Sequence, residues 1–134
     1  MSVVNDPGSV DVVERFERLE FPPGAFHHRD HVEAAYGMLR KYPFLEALVR
    51  YSRTIQTMAA NAGAHTKFHV TVTIAFMALI AERMETSSHA DFDEFRHQHP
   101  ELFSPDLLKR FYSSERLASE MSRRILVMPD RRPA

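Results

Sequence analysis

The chain has 134 residues, 44% of them hydrophobic, a net charge of −1 with its histidines neutral, and no cysteine. That is enough apolar material for one domain with a continuous core, and the small net charge supplies no general field toward nucleic acid or an anionic lipid surface. Without thiols there is no disulfide framework, no cysteine nucleophile and no cysteine-ligated zinc or iron–sulfur centre, so any metal would rest on nitrogen and oxygen donors. The first residues, Met1-Ser2-Val3-Val4-Asn5-Asp6, lack the basic start and apolar run of a secretory signal, and no stretch reaches the roughly 18 apolar residues of a membrane span. A cytoplasmic location is the expectation.

The elements read as helices throughout. Residues 1–9, with Asn5, Pro7 and Gly8, read as a flexible N-terminus, and Ser9 is a candidate cap for a short helix through Val12, Val13, Phe16 and Leu19 that ends before Pro22-Pro23-Gly24. A second helix is expected over 28–41, stopping at Tyr42-Pro43. The third, about 44–61, is expected to bury Leu45, Leu48, Val49, Ile55 and Ala59, with Ser52 and Gln56 on the same stripe, and to close on a left-handed cap at Asn61-Ala62-Gly63. The fourth, about 66–85, is the most hydrophobic and is expected at the centre. Short helices follow near 90–98, 105–112 and 114–124, one of them opened by Ser104-Pro105-Asp106. Residues 131–134 read as a flexible C-terminus, and Arg123, Arg124, Arg131 and Arg132 as a solvated basic end. The fold class is all-α: a single-domain bundle over 10–130 of about four main helices plus short C-terminal ones.

Three of the eight histidines stand out. At about 100° per residue, a helix from His28 to Lys41 places His28, His31, Val32, Ala35 and Leu39 on one side and Arg29, Asp30, Glu33, Arg40 and Lys41 largely on the other. Two registers are open at its start: Asp30 as the cap with Glu33 completing a capping box, or His27 as the cap with Asp30 a first-turn acid. The same projection puts His69 with Thr73, Phe76 and Ile80, and His65 one turn before. Three inward imidazoles are a candidate mononuclear metal site, His28, His31 and His69, with zinc, iron, copper and nickel all compatible. A single such histidine is more often a hydrogen-bonded core residue, and the spacing is far less specific than H-E-x-x-H. His65 sits at a frayed helix start, and His89, His97 and His99 read as solvated. Thr73 and Gln56 are candidates to support the ligands, and Tyr112 with Arg123 or Arg124 to grip an anionic substrate.

Other chemistries find no footing. There is no G-x-S-x-G turn and no phosphate-binding glycine loop among Gly8, Gly24, Gly37 and Gly63. Glu-x-x-His units for a di-iron bundle are too few, and the methionines read as core filler rather than a haem pocket.

Phe26-x-His28-x-x-His31, Phe68-His69-x-Thr71-x-Thr73, Phe111-Tyr112-Ser113 and Pro129-Asp130 together resemble a family of small, uncharacterised bacterial proteins whose pattern runs Phe-x-His-x-x-His, aromatic-His-x-Thr-x-Thr, Tyr-Ser and Pro-Asp. The resemblance spans roughly 26–130 and implies that His28, His31 and His69 matter as a set. It carries no activity, and Phe68 stands where the pattern has tyrosine. The expected function is a metal-dependent enzyme acting on a small molecule by hydrolysis, a lyase step or oxygen chemistry, with neither nucleic acid nor membrane as partner. The alternative is a noncatalytic module that binds a small ligand or a partner, its histidines hydrogen-bonded inside.

Overall fold

The computed structural model describes residues 7–22 and 24–132, and the side chains of these except 7–11 and 65. Seven α-helices run in the order α1 (Pro7–Glu17), α2 (His28–Lys41), α3 (Phe44–Asn61), α4 (Val70–Thr86), α5 (Phe92–Gln98), α6 (Ser114–Ala118) and α7 (Glu120–Arg124). Tight 3₁₀ turns lie at His65–Lys67, Pro100–Phe103 and Leu107–Arg110, and the described residues contain no strand. The all-α reading is thus what the chain adopts.

The central helix is α2 rather than α4. It packs against α1, α3, α4, α5 and the Pro100–Phe103 turn, and all seven residues from Val32 to Met38 are buried. Ala34, Ala35 and Gly37 supply the small side chains that let neighbours approach it from several directions. Glu33, expected on an outer face, is buried for the same reason: α2 has no solvent side along this stretch. Around α2 sit Val13 and Phe16 from α1, Ala47 and Tyr51 from α3, Phe76, Met77, Leu79 and Ile80 from α4, and Phe92 and Phe95 from α5.

The start of α2 follows the register with His27 outside the helix. The His27 backbone amide donates to the Asp30 carboxylate at 2.9 Å, the reciprocal half of a capping box, and His28 opens the helix. α1 begins two residues before Ser9, which therefore lies within the helix and not at its cap. α3 is rotated from the expected register. Tyr51 stacks on Phe16 at 5.3 Å and draws the face bearing Ala47 and Tyr51 inward, so Leu45 is 73% and Val49 48% exposed and Gln56 points to solvent.

α1 and α3 end alike. In each, the amide two residues beyond the last helical cap reaches back to form a wide turn, Glu20 to Arg15 at 2.8 Å and Ala64 to Ala59 at 2.7 Å, with a tighter bond inside it, Leu19 to Phe16 at 3.1 Å and Gly63 to Ala60 at 3.0 Å. This motif needs a left-handed residue at its corner. Gly63 takes it with φ 71°, as expected from the sequence, whereas α1 puts Leu19 there with φ 59°. A branched side chain in that region costs roughly 1–2 kcal/mol. Leu19→Gly is therefore expected to raise stability by about 0.5–1 kcal/mol after the loss of a half-exposed side chain and the added chain entropy of glycine. The urea midpoint reads this directly, and a lower midpoint would show that the contacts of Leu19 outweigh the strain of its backbone.

Candidate functional site

His31 sits in an aromatic nest that three helices and a loop build. Phe26, from the segment before α2, meets the His31 ring edge-on at 4.5 Å, stacks on Phe16 at 5.5 Å and is met by Phe21 at 4.8 Å. The His31 Nδ1 lies 3.3 Å from the Tyr51 hydroxyl. Burial among these rings pulls the His31 pKa from 6.5 down to about 4, the nearby His28 adds to the shift, and Asp30 opposes it. The imidazole is neutral at physiological pH. Burial also raises the Tyr51 phenol, which stays protonated. Nδ1 is thus engaged by a neutral partner, and Nε2 is the ring nitrogen left for other contacts.

His28 and His69 are wired into the fold. The His28 Nε2 lies 3.1 Å from the Leu102 carbonyl and so carries the proton, tying the first turn of α2 to the Pro100–Phe103 turn, with Phe76 and Phe103 against the ring. His69 was expected inside the fourth helix but is its cap. After the His65–Lys67 turn, the chain is extended at His69, whose Nδ1 accepts the Val72 amide at 3.1 Å. The His69 Nε2–H donates to the Leu117 carbonyl at 2.8 Å, with the Ser122 hydroxyl 3.4 Å away. An imidazole here does what serine or aspartate usually does at a helix start, and both of its nitrogens are used.

The three rings nevertheless line one cavity of about 260 Å³, together with Tyr51, Ile55, Lys67, Phe68, Val72, Thr73 and Phe76. Beside it lies an apolar cavity of about 670 Å³ walled by Phe21, Phe26, Phe68, Ile55, Met58 and Ala59, with Glu20 and Lys67 among its lining. Both are lined by His31, Ile55, Lys67 and Phe68, so they adjoin and form one cleft. Among the described residues, no three His, Asp or Glu side chains are drawn together as a metal-ligand group. As the rings stand, ligation through His69 needs the loss of one of its two hydrogen bonds.

The remaining candidates are placed elsewhere. The Thr73 hydroxyl donates to the His69 backbone carbonyl at 2.8 Å, so it steadies the first turn of α4 and not the imidazole. Gln56 is exposed and lines neither cavity. Tyr112 is buried with its hydroxyl donated to the Val127 carbonyl at 2.9 Å, and burial raises its pKa. Arg123 donates to the Thr66 carbonyl, next to the cleft but outside its lining. The side chain of His65 lies outside the described residues.

A clasp that the sequence reading did not foresee accounts for Thr71, Tyr112, Ser113 and Asp130. Thr71, fully buried, donates to the Ile125 carbonyl at 2.8 Å and accepts the Val127 amide at 3.0 Å. Asp130 accepts from both the amide and the hydroxyl of Ser113 at 2.7 Å, which lowers its pKa, and the Arg131 amide reaches the Phe111 carbonyl at 2.9 Å. Two histidines read as solvated are also engaged: His89 Nδ1 is 2.8 Å from the Tyr36 hydroxyl, and His99 Nε2 is 3.0 Å from the Ser87 hydroxyl. Each follows an aromatic or serine contact distant in sequence, with no local spacing to reveal it.

Two predictions follow from this wiring. Thr71→Val strands the buried Val127 amide and removes the donor to the Ile125 carbonyl, and should cost about 1–3 kcal/mol, while Thr73→Val, losing only a bond to the carbonyl four residues back, should cost under about 1 kcal/mol; equal losses in denaturant melts would refute the clasp. For His31, the folded pKa lies below the unfolded one, so between about 6.5 and 4 the unfolded chain binds a proton that the folded chain does not. Stability should fall as pH drops through that window, by up to about 3 kcal/mol at its lower end, and His31→Asn should remove that part of the slope. An imidazole that titrates near 6.5 by NMR would overturn the assignment.

No family model, no curated protein and no solved structure matches the chain.

Proposed function

We propose that the protein binds a small, largely apolar molecule in the cleft formed by the two adjoining cavities, with His31 and Tyr51 as polar contacts at its inner end. The observation that carries this reading is the shared wall: His31, Ile55, Lys67 and Phe68 line both a roomy apolar cavity of about 670 Å³ and the smaller histidine cavity. Concave apolar sites with a few convergent polar groups, one of them with a strongly shifted pKa, are the usual form of a ligand pocket. This reading asks no histidine to leave its hydrogen bond.

A metal-dependent enzyme is the second reading, and one observation favours it: His28, His31 and His69 all line the same small cavity. Neutral imidazoles suit zinc, iron, copper or nickel, and such a centre would supply a Lewis acid or an activated water to a small-molecule substrate. It requires His69 to release either the Val72 amide or the Leu117 carbonyl, and it leaves the apolar cavity as a substrate site.

The two are separated by one pair of measurements. A neutral fluorescent probe such as phenylnaphthylamine should brighten on binding the wild-type protein, and Ala59→Trp, which fills the apolar cavity from α3, should abolish most of that signal while the helical circular dichroism is kept. A signal unchanged in Ala59→Trp would place the probe outside the cleft and defeat the binding proposal. Metal analysis of protein purified without a histidine tag decides the second reading: near-stoichiometric metal that is lost in both His31→Ala and His69→Ala supports it, and protein that stays metal-free after incubation with each metal removes it.

A further inference from the structure

The cleft has an electrical polarity. Lys67 lines both cavities and stands where they adjoin, whereas Glu20 lines only the apolar one. Lys67 forms no ion pair with a described residue, and the side chain is exposed at the end of the His65–Lys67 turn. Other polar lining groups near it carry no counter-charge: the Tyr51 phenol is protonated, and His31 is neutral because burial holds its pKa to about 4. His69 has its Nδ1 occupied by the Val72 amide and its Nε2–H by the Leu117 carbonyl, so that ring is neutral as well. No carboxylate lines the histidine cavity. The Arg123 guanidinium, bonded to the carbonyl of Thr66, adds a second positive charge just behind the same turn. The histidine cavity therefore holds an ammonium and neutral hydrogen-bonding groups with no carboxylate, and Glu20 lines the apolar cavity alone.

We propose that the cleft takes an amphipathic carboxylic acid, its carboxylate held by Lys67 where the cavities adjoin and its apolar body seated among Phe21, Phe26, Phe68 and Met58. The ammonium gives a compact, strongly attractive point charge for an anion, and the aromatic walls supply flat apolar area for an aryl or alkyl body. His31 and Tyr51, next to the carboxylate position, offer a hydrogen bond that sets its orientation. Glu20, which lines the apolar cavity and not the histidine cavity, disfavours the acid head in the former and so biases it toward the latter. This inference rests on the binding reading above and adds the charge of the ligand to it.

The probes are a matched pair, naphthoate and naphthamide, of one shape and differing in one charge. At neutral pH and low ionic strength the wild-type protein should bind naphthoate about 10-fold more tightly than naphthamide, with chemical-shift changes at Phe68 and His31. Lys67→Met, at an exposed position whose change leaves the fold intact, should bring the two affinities together by weakening naphthoate alone, and Glu20→Gln should tighten naphthoate. Equal affinities in the wild type, or a preference for naphthoate that Lys67→Met leaves untouched, overturn the proposal while the binding reading stands. Tighter binding of naphthylmethylamine than of naphthoate, lost in Glu20→Gln, would reverse the polarity and also overturn it. Binding of neither naphthoate nor naphthamide, alongside a phenylnaphthylamine signal insensitive to Ala59→Trp, would instead sink the cleft itself.

Discussion

The complete burial of the middle of α2 is the constraint on which the rest depends. Seven consecutive buried residues mean that four helices and a turn must each find a place around a single rod, and only small side chains at Ala34, Ala35 and Gly37 make that geometry possible. Each neighbour brings aromatic mass to the contact: Phe16 and Tyr51 on one side, Phe92 and Phe95 on another. The cleft lies where this ring of neighbours is incomplete, at the end of α2 where the helix begins and His28 and His31 emerge from the packing. Its inner wall is therefore an extension of the core through Tyr51 and Phe76.

Polar order in this protein is concentrated where helices start and where the chain returns. His69, Ser113 and Ser119 each cap a short or long helix with a side-chain acceptor, and the residues around them are bound in turn. The result is that the histidine, threonine and serine pattern of this sequence has a structural explanation for most of its members: His69 caps, Thr71 bridges, Thr73 steadies a carbonyl, and Ser113 with Asp130 closes the return. His31 is the member left over. Its ring does no capping, has a single long hydrogen bond, and faces both cavities.

Helix content, the end of α3 at Gly63 and the second helix from His28 to Lys41 were legible because each has a local signal: apolar periodicity, a glycine at a left-handed corner, a proline after the stop. The rotation of α3 was not, since Leu45 and Val49 fit an apolar stripe as well as Tyr51 does, and only the stacking of Tyr51 on a ring 35 positions earlier (51 − 16) settles which face turns inward. Facial spacing placed His28 and His31 together on α2, but it had His69 inside a helix that begins only after it, and the hydrogen bonds of His28 and His69 gave no signal, because the acceptors are backbone carbonyls at Leu102 and Leu117 that no residue type announces. The cap at His69 was hidden for a related reason. Imidazole is a rare choice at that position, so the helix reads as starting several residues too soon.

The clasp also sets an order of assembly. Thr71 finds its acceptor 54 residues later and its donor 56 residues later, whereas the Phe16, Phe26 and Tyr51 stack draws only on the first half of the chain. As the polypeptide leaves the ribosome, the aromatic half can collapse while the N-terminal turn of α4 still lacks the segment that satisfies it. The wall of the cleft that carries His31 is made early, and the wall that carries His69 is completed only once Leu117, Ile125 and Val127 have been synthesised.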